Sequence, residues 1–448
     1  MLTTEQACAR VEDIVARARA AGADAADAVF AADRSVSVSV RMGALEDVER
    51  SESEELGLRV FVGNRSASVS SSDLSSAAFD ALVERAVAMA REAPEDRWAG
   101  LAPQDRLLHG APPKLDLDDG AEVDPQTLRA RALAAEAAAR AVPGVTNSEG
   151  GAAGATRGLI ALATSHGFVG AYSQSHHSVS ASVLAGEGGA MERDHAWHSA
   201  RYAAQLESPE KVGREAGERA VARLNPQKLA SGAMPVVFDR RVSASLLGHF
   251  IAAISGSSIT RKTSFLLDQL GEAVFAPGIS IHDDPHRPRG LRSRPFDGEG
   301  LPVQPVALVD GGRLQHWLLD SASARQLGLE PTGHAARGVN GAPGVAPSNL
   351  YMAAGNVPAE TLVGEIERGI LVTELIGQGV NGVTGDYSRG AAGFLIEGGE
   401  ITRPVSEITI AGNLRDMFRA LTPANDLEFR YGINAPTLRI DGMTVAGE

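Results

Sequence analysis

Alternation of apolar and small polar residues sets the character of the chain's first half. Ser35–Arg41 reads SVSVSVR, with Val36, Val38 and Val40 separated by Ser37 and Ser39. A period of two predicts a half-buried strand. Ahead of it, Thr3 or Thr4 caps a helix running to about Ala21, with Glu5 near its start and Ala9, Val11, Ile14, Val15 and Ala18 as its apolar face. LEDVERSE, LGLRVFVG and SASVSSS continue the strand texture, punctuated by turn residues such as Gly63-Asn64. Asp73 or Ser75 opens a second helix to about Arg91. Glu92–Asp124, rich in Pro, Asp and Gly, reads as a surface crossing loop. Gln126–Ala141 is built from strong helix formers. Gly144–Leu206 returns to strand texture, and its Ser178–Val183 run echoes residues 35–40 too weakly to count as a repeat. A helix over Pro209–Leu224 and the linker NPQKLASGAMP close this half. The expected domains are therefore 1–228 and 229–448, with the boundary near residue 230.

In the second half, PVVFD is a short buried strand, and Arg241–Ser255 places Val242, Leu246, Leu247, Phe250, Ile251 and Ile254 on one helical stripe. VALVDGG followed by RLQHWLLD reads as strand, turn and strand. Gly333–Pro347 is a long Gly/Pro/Ala loop holding His334 and Asn340, of the kind that is usually functional or mobile. Thr373–Met417 is the tightest stretch: an apolar run, a glycine-rich turn cluster, two β-like segments joined by Glu-Gly-Gly-Glu, and a short helix. Short strands with helices grouped between them predict an α+β fold in both domains, the first a mixed sheet with helices.

At 448 residues the chain suits two domains better than one core. A net charge of −14 argues against a phosphate-binding surface, so no direct nucleic-acid partner is expected. The one cysteine, Cys8, excludes an internal disulfide and reads as a buried small hydrophobe in the first helix. MLTTEQACARVEDIV has no basic region leading into an apolar one, and no apolar run reaches the roughly 18 residues of a membrane span. The expected setting is the cytoplasm.

Candidate chemistry is sparse. His176, His177, His195 and His198 alternate between strand faces and read as exposed strand histidines rather than ligands. His249 has Ser245 and Ala253 four positions away, where a helix-borne zinc site wants a second ligand, so it is structural or interfacial. His282, Asp283, Asp284 and His286 form the best local set of possible metal ligands, but Pro285 and Pro288 mark a loop. Gly377-Gln378-Gly379 begins a G-x-G-x-x-G match ending at Gly382, with Glu397 where a ribose-binding acid would fall. A nucleotide loop must open a helix, and Gly385, Gly390 and Gly393 prevent one. Ser388 sits in Asp-Tyr-Ser-Arg-Gly, not in a nucleophile elbow.

The runs SLLGHFIAAISG, RKTSFLLDQLG, QHWLLDSASARQLGL, TGHAARG, TELIGQGVNGVTGDYSRGAAGF and PVSEITIAGNLRDM closely resemble the TldD/PmbA family, in its PmbA (TldE) branch. They cover most of residues 235–417, and the first domain agrees more loosely in layout. The resemblance implies a β-rich, barrel-like C-terminal domain. It also implies a cytoplasmic metalloprotease assembled from two homologous subunits, linked to the historic label of modulator of DNA gyrase. In that family the TldD-type subunit carries a zinc motif, His-Glu-x-x-x-His, and a cysteine near its C-terminus.

Laid against that motif, Gly248 falls on the first His, His249 on the Glu and Ala253 on the second His; GINAPTLRIDGMTVAG has no cysteine. A His pair five apart lies about 140° round a regular helix, so the metal-binding version must distort, whereas the apolar stripe here runs unbroken. The resemblance thus implies a non-catalytic partner subunit with no catalytic residue, metal or cofactor of its own, the zinc lying in a TldD-type partner. It would form a heterodimer, or a homodimer when alone, acting on unfolded or flexible peptide. Two other readings stand beside it: a homodimeric peptide-binding protein, and an independent hydrolase using an unrecognised site such as the His282–His286 loop. The residues expected near substrate or partner are Gly377, Gln378, Gly379, Asp386, Tyr387, Ser388, Arg389 and His334. Asp386, Tyr387 and Arg389 are the foremost of these, with pinning of the turns by Asp386 and Arg389 as the plain alternative.

Overall fold

The structure is a computed structural model describing residues 1–447. Helix α1 (Thr4–Ala20) begins on a capping box, the Thr3 side chain accepting from the Gln6 N–H while Gln6 reaches back to the Thr3 N–H. Its buried face is Ala7, Val11, Ile14, Val15 and Ala18; Ala9 turns to solvent, and Cys8 is half-buried. Strands β1 (Ala25–Arg41), β2 (Ala44–Val62) and β3 (Arg65–Ser71), helices α2 (Ser76–Glu92) and α3 (Pro125–Arg140), strands β4 (Val145–Thr164), β5 (Val169–Ala185) and β6 (Glu192–Ala200), and helix α4 (Pro209–Ala222) complete the first domain.

Its six strands run in the order β3-β2-β1-β4-β5-β6 and are antiparallel throughout. Even-numbered residues of β1 face the helices: Ala26, Ala28, Phe30 and Ala32 pack under α1 and α2, while Val38 and Val40 meet Leu128 and Ala132 of α3. The β1–β2 turn puts Met42 and Gly43 at positive φ, and buried Glu136 of α3 accepts both of their N–H groups at 2.6 and 2.8 Å. Helices α3 and α4 cross closely because Gly213 has no side chain; a Cβ there would lie 1.9 Å from the Ala135 carbonyl oxygen.

The second domain follows as β7 (Gly232–Phe238), α5 (Arg240–Ala253), α6 (Gly256–Thr260), β8 (Ile281–Asp284), β9 (Val306–Asp310), β10 (Arg313–Leu314), α7 (Ser321–Leu327), β11 (Ala335–Ala336), β12 (Gly344–Val345) and β13 (Asn349–Met352). It continues with α8 (Ala359–Gly364), β14 (Arg368–Ile376), β15 (Asp386–Glu397), β16 (Glu400–Asn413), α9 (Leu414–Arg419), β17 (Leu421–Pro423), β18 (Ile433–Asn434) and β19 (Leu438–Ala446). β7, β14, β15, β16 and β19 close on themselves through the β16–β19 and β19–β7 pairings, giving a five-stranded barrel. Beside it lies the sheet β10-β9-β8-β13-β18. One large apolar core joins the barrel, α5 and this sheet.

The two domains are joined through buried contacts. On the far face of the first sheet, Val29, Leu162 and Phe168 pack with Phe296 and Leu301. Asp27, fully buried, accepts from Arg59 Nε and from Arg337 Nη2, each at 3.0 Å. Burial alone would raise its pKa, but the two guanidiniums outweigh that and hold the carboxyl below the usual range. Arg337 belongs to the 333–347 loop, which therefore serves as an interdomain strap. The expected crossing loop at 92–124 is likewise more than surface chain: Leu101, Leu107, Leu115 and Leu117 are buried, and Arg325 donates to the carbonyls of Trp98, Gly100 and Leu101.

Candidate functional site

Helix α5 starts on Asp239, whose carboxylate accepts the Arg241 N–H at 2.8 Å. It lays Leu246, Leu247, Phe250 and Ala253 into the core and turns Gly248 to solvent. His249 lies on the border, half-buried, its ring edge-to-face with Tyr387 at a centroid distance of 5.9 Å. Tyr387 and Arg389 are alternate residues of β15 and share a face with buried Ala391; they are 1% and 8% exposed. Asp386 and Ser388 fall on the outward side. Two of the three foremost residues, Tyr387 and Arg389, thus point inward, carried there by strand alternation.

The resulting cluster is electrically unusual. Burial pushes the Tyr387 phenol up to about 12, with the Arg389 guanidinium acting weakly against it. Burial, and then Arg389, hold His249 below its ordinary value, so the imidazole is neutral near pH 7. His249 Nε2, Tyr387 Oη and Arg389 Nε are all buried without a hydrogen-bond partner. Among the described residues no carboxylate pairs with Arg389. A zinc ion does not fit here: Gly248 and Ala253 offer no donor atom, His249 offers one nitrogen, and Arg389 adds positive charge beside it. Among the described residues no three His, Cys, Asp or Glu side chains converge as a metal site.

The glycine-rich loop 377–385 continues from β14 alongside the start of β15, through an antiparallel bridge between Val380 and Tyr387. Gly379 packs so closely that a Cβ would sit 2.1 Å from the Ser388 carbonyl oxygen, and its own carbonyl accepts the Ser388 N–H at 2.7 Å. Gly377, at φ +76°, makes the turn out of β14, and no helix follows. Asp386 accepts from Thr384 Oγ1 at 2.6 Å and Asn413 Nδ2 at 3.1 Å, which is the turn-pinning arrangement. Gly377, Gln378 and Gly379 are exposed.

The remaining candidates scatter. His334 is buried, its Nδ1 hydrogen-bonded to Thr332 Oγ1 at 2.9 Å and its Nε2 lying 3.3 Å from Asp283 Oδ2. Strand alternation on β8 separates Asp283 from His282, whose ring packs at a tilt against Tyr351, and Asp284 accepts the His286 N–H. His177 departs from the exposed-histidine expectation: it is 1% exposed, with Nε2 at 2.8 Å from Asp119 Oδ2 of the crossing loop. His195 is exposed, and His198 Nδ1 accepts the Glu207 N–H.

A groove of about 680 Å³, which no local sequence pattern announces, runs along the domain junction. It is lined by Arg219, Arg223, Arg241, Glu374, Arg430 and Tyr431. At its floor buried Asp194 of β6 pairs with Arg241 at 3.0 Å and Arg223 at 3.6 Å, and Arg223 also bridges to Glu374. These residues come from widely separated segments of the chain and belong to no single local motif, so only the fold assembles them.

Comparison with known proteins gives three matches in chain order: PmbA/TldA metallopeptidase domain 1 over residues 26–90, the central domain over 118–224 and the C-terminal domain over 231–447. The chain is 42% identical over 427 residues to Metalloprotease PmbA of Escherichia coli O157:H7, covering 95% of this chain and 93% of that protein. The chain belongs to the PmbA/TldA metallopeptidase family. It is also 41% identical over 414 residues to the Metalloprotease PmbA homolog of Haemophilus influenzae, spanning 92% of this chain and 90% of that one. To the Metalloprotease TldD homolog of the same organism it is 27% identical over 252 residues, about half of each chain (52% and 52%). Among solved structures, a putative modulator of DNA gyrase from Bacteroides thetaiotaomicron superposes with a TM-score of 0.92 at 28% identity, covering 100% of both chains. TldE from Thermococcus kodakarensis shares the fold, with a TM-score of 0.88 at 20% identity over 98% of this chain and 100% of that one. The PmbA/TldA C-terminal match spans α5, β15 and the 377–385 loop, so the whole cluster lies within family structure.

Proposed function

We propose that this chain is the non-catalytic partner of a zinc-bearing TldD-type homologue, the two forming a cytoplasmic metalloprotease that cleaves unfolded or flexible peptides. The observation that carries the reading is the donor set on α5. Gly248 and Ala253 bracket His249 with no ligating atom, and the cation of Arg389 stands next to it. A hydrolytic zinc site needs about three protein ligands, an open position for water and a base; this helix supplies one imidazole. The chain's own contribution is then shape. The glycine loop and the arginine-rich groove between the domains narrow the approach to an extended polypeptide and exclude folded protein. Exposed backbone in the 377–379 segment offers hydrogen bonds that do not depend on the peptide's sequence. The described residues contain no helix long and apolar enough to cross a membrane.

Metal analysis of the purified, dialysed chain tests this directly. Far less than one zinc per chain is expected, and no peptidase activity in the absence of the homologue. Stoichiometric zinc in the single chain contradicts the reading.

A further inference from the structure

One guanidinium of the barrel, that of Arg389, has no acidic side chain beside it among the described residues. Arg389 is 8% exposed, its Nε is closed to solvent and unpartnered, and no acidic side chain among the described residues pairs with it. A buried polar atom without a partner costs roughly 1–3 kcal/mol, and the two Nη groups of Arg389 are not among the closed-off atoms and so remain open to a ligand. Other buried arginines here have acceptors for their guanidiniums: Arg59 and Arg337 share Asp27, although Arg337 Nε is itself unpartnered, and Arg201 donates to the carbonyls of Ser175, Gly290 and Leu291. Arg389 has no such acceptor, and its neighbours share its condition. Tyr387 Oη and His249 Nε2 are buried and unpartnered as well. The phenol is a donor at every physiological pH, since burial holds it at about 12. Neutral His249 can place its one ring proton on Nε2 and donate from there. Guanidinium, phenol and imidazole then form a donor set with a positive charge in it and no acceptor assigned.

A planar anion with two oxygens answers that set. We propose that His249, Tyr387 and Arg389 form a binding site for a carboxylate group of a peptide. The guanidinium would take the carboxylate through two N–H groups, the geometry at which arginine is strongest, with the Tyr387 hydroxyl on one of the oxygens. A cation is excluded by the same charge that attracts the anion. The inference rests on the reading that no metal sits beside His249.

The test uses the full-length chain and isothermal titration with three probes at fixed ionic strength. They are N-acetyl-alanyl-alanine, its C-terminal amide, and N-acetyl-aspartate amide, which carries the carboxylate on a side chain. Saturable binding of the first or third, and none of the amide, is the expected result, and the better of the two identifies the source of the carboxylate. Arg389→Met should abolish binding, and Tyr387→Phe should weaken it roughly tenfold, as loss of one charge-assisted hydrogen bond predicts. Circular dichroism of each variant separates lost binding from lost folding; if Arg389→Met does not fold, Arg389→Lys, which keeps the charge without the fork, should weaken binding at least tenfold. Equal binding of acid and amide, no binding of either acid, or unchanged affinity in the folded arginine variant overturns the proposal. Zinc analysis of the same sample keeps the two readings apart. A metal-free chain that ignores carboxylates sinks this inference alone, whereas a zinc-loaded chain sinks the reading beneath it.

Discussion

His249 and Tyr387 meet edge to face, ring centroids 5.9 Å apart at an interplanar angle of 78°, with a buried polar atom of each left unbonded. The contact joins α5 to the barrel at the helix turn where zinc-bearing relatives are expected to place their metal motif.

This placement gives His249 a pH signature. Its pKa is lowered in the folded chain, first by burial and then by Arg389, so the unfolded chain binds more protons below about pH 6.5. Stability contributed by the neutral ring is present above the unfolded value and lost as pH falls toward the folded one. His249→Gln should flatten that loss in thermal melts between pH 5 and pH 7; an unchanged slope counts against a neutral buried imidazole.

Glu299 predicts the opposite slope. Burial, then the neighbouring Asp297 carboxylate, raise it from 4.5 to about 7, while Ser321 donates to it through both its N–H and its hydroxyl at 2.9 and 2.7 Å. Between those two values the folded chain keeps a proton the unfolded chain has lost, so stability falls as pH rises through the window. Each tenfold difference in proton affinity is worth about 1.4 kcal/mol, so the whole loss is on the order of 3 kcal/mol at most. Glu299→Gln retains an acceptor for Ser321 and should raise the melting temperature at pH 8 while leaving it nearly unchanged at pH 4.5.

The strap between domains rests on Asp27. Arg337→Met leaves Asp27 with Arg59 alone and removes the anchor of the 333–347 loop. The expected cost is about 1.5–3 kcal/mol, that of losing one charge-assisted hydrogen bond while Asp27 keeps its pair with Arg59. Faster proteolysis within 333–347 should accompany it, and a stable strap with unchanged protection would show that the pair is incidental.

Gly379 can be tested separately from the core. Gly379→Ala must push the loop off β15, because its Cβ would meet the Ser388 carbonyl at 2.1 Å. A loss of about 1–3 kcal/mol is expected. Exposed Gly398, with nothing near its Cβ but a φ of +57°, should cost only about 1–2 kcal/mol when changed to Ala.

Much of the fold was legible because local rules governed it. The caps at Thr3 and Ser75, the Val36–Val40 alternation and the Glu397–Glu400 hairpin emerged where turn chemistry and periodicity put them. Barrel closure was not readable from spacing, since it depends on β16 meeting β19 across an intervening helix and two short strands. The family resemblance supplied that expectation instead. Tyr387 and Arg389 were expected near substrate or partner, with no orientation assigned to either. Their alternation with Ala391 was the signal that both point inward. His177 was hidden for a different reason: its partner, Asp119, sits in a loop whose buried leucines were masked by their Pro, Asp and Gly neighbours.

Mixing tests the central claim most directly. The chain, a zinc-bearing TldD-type homologue, and an equimolar mixture of the two should be assayed on one unstructured peptide, with complex formation followed by size exclusion. A heteromeric complex is expected in the mixture, with cleavage there that chelators abolish, and none by this chain alone. Chelator-sensitive cleavage by the single chain, or a mixture that neither associates nor gains activity, would contradict the claim.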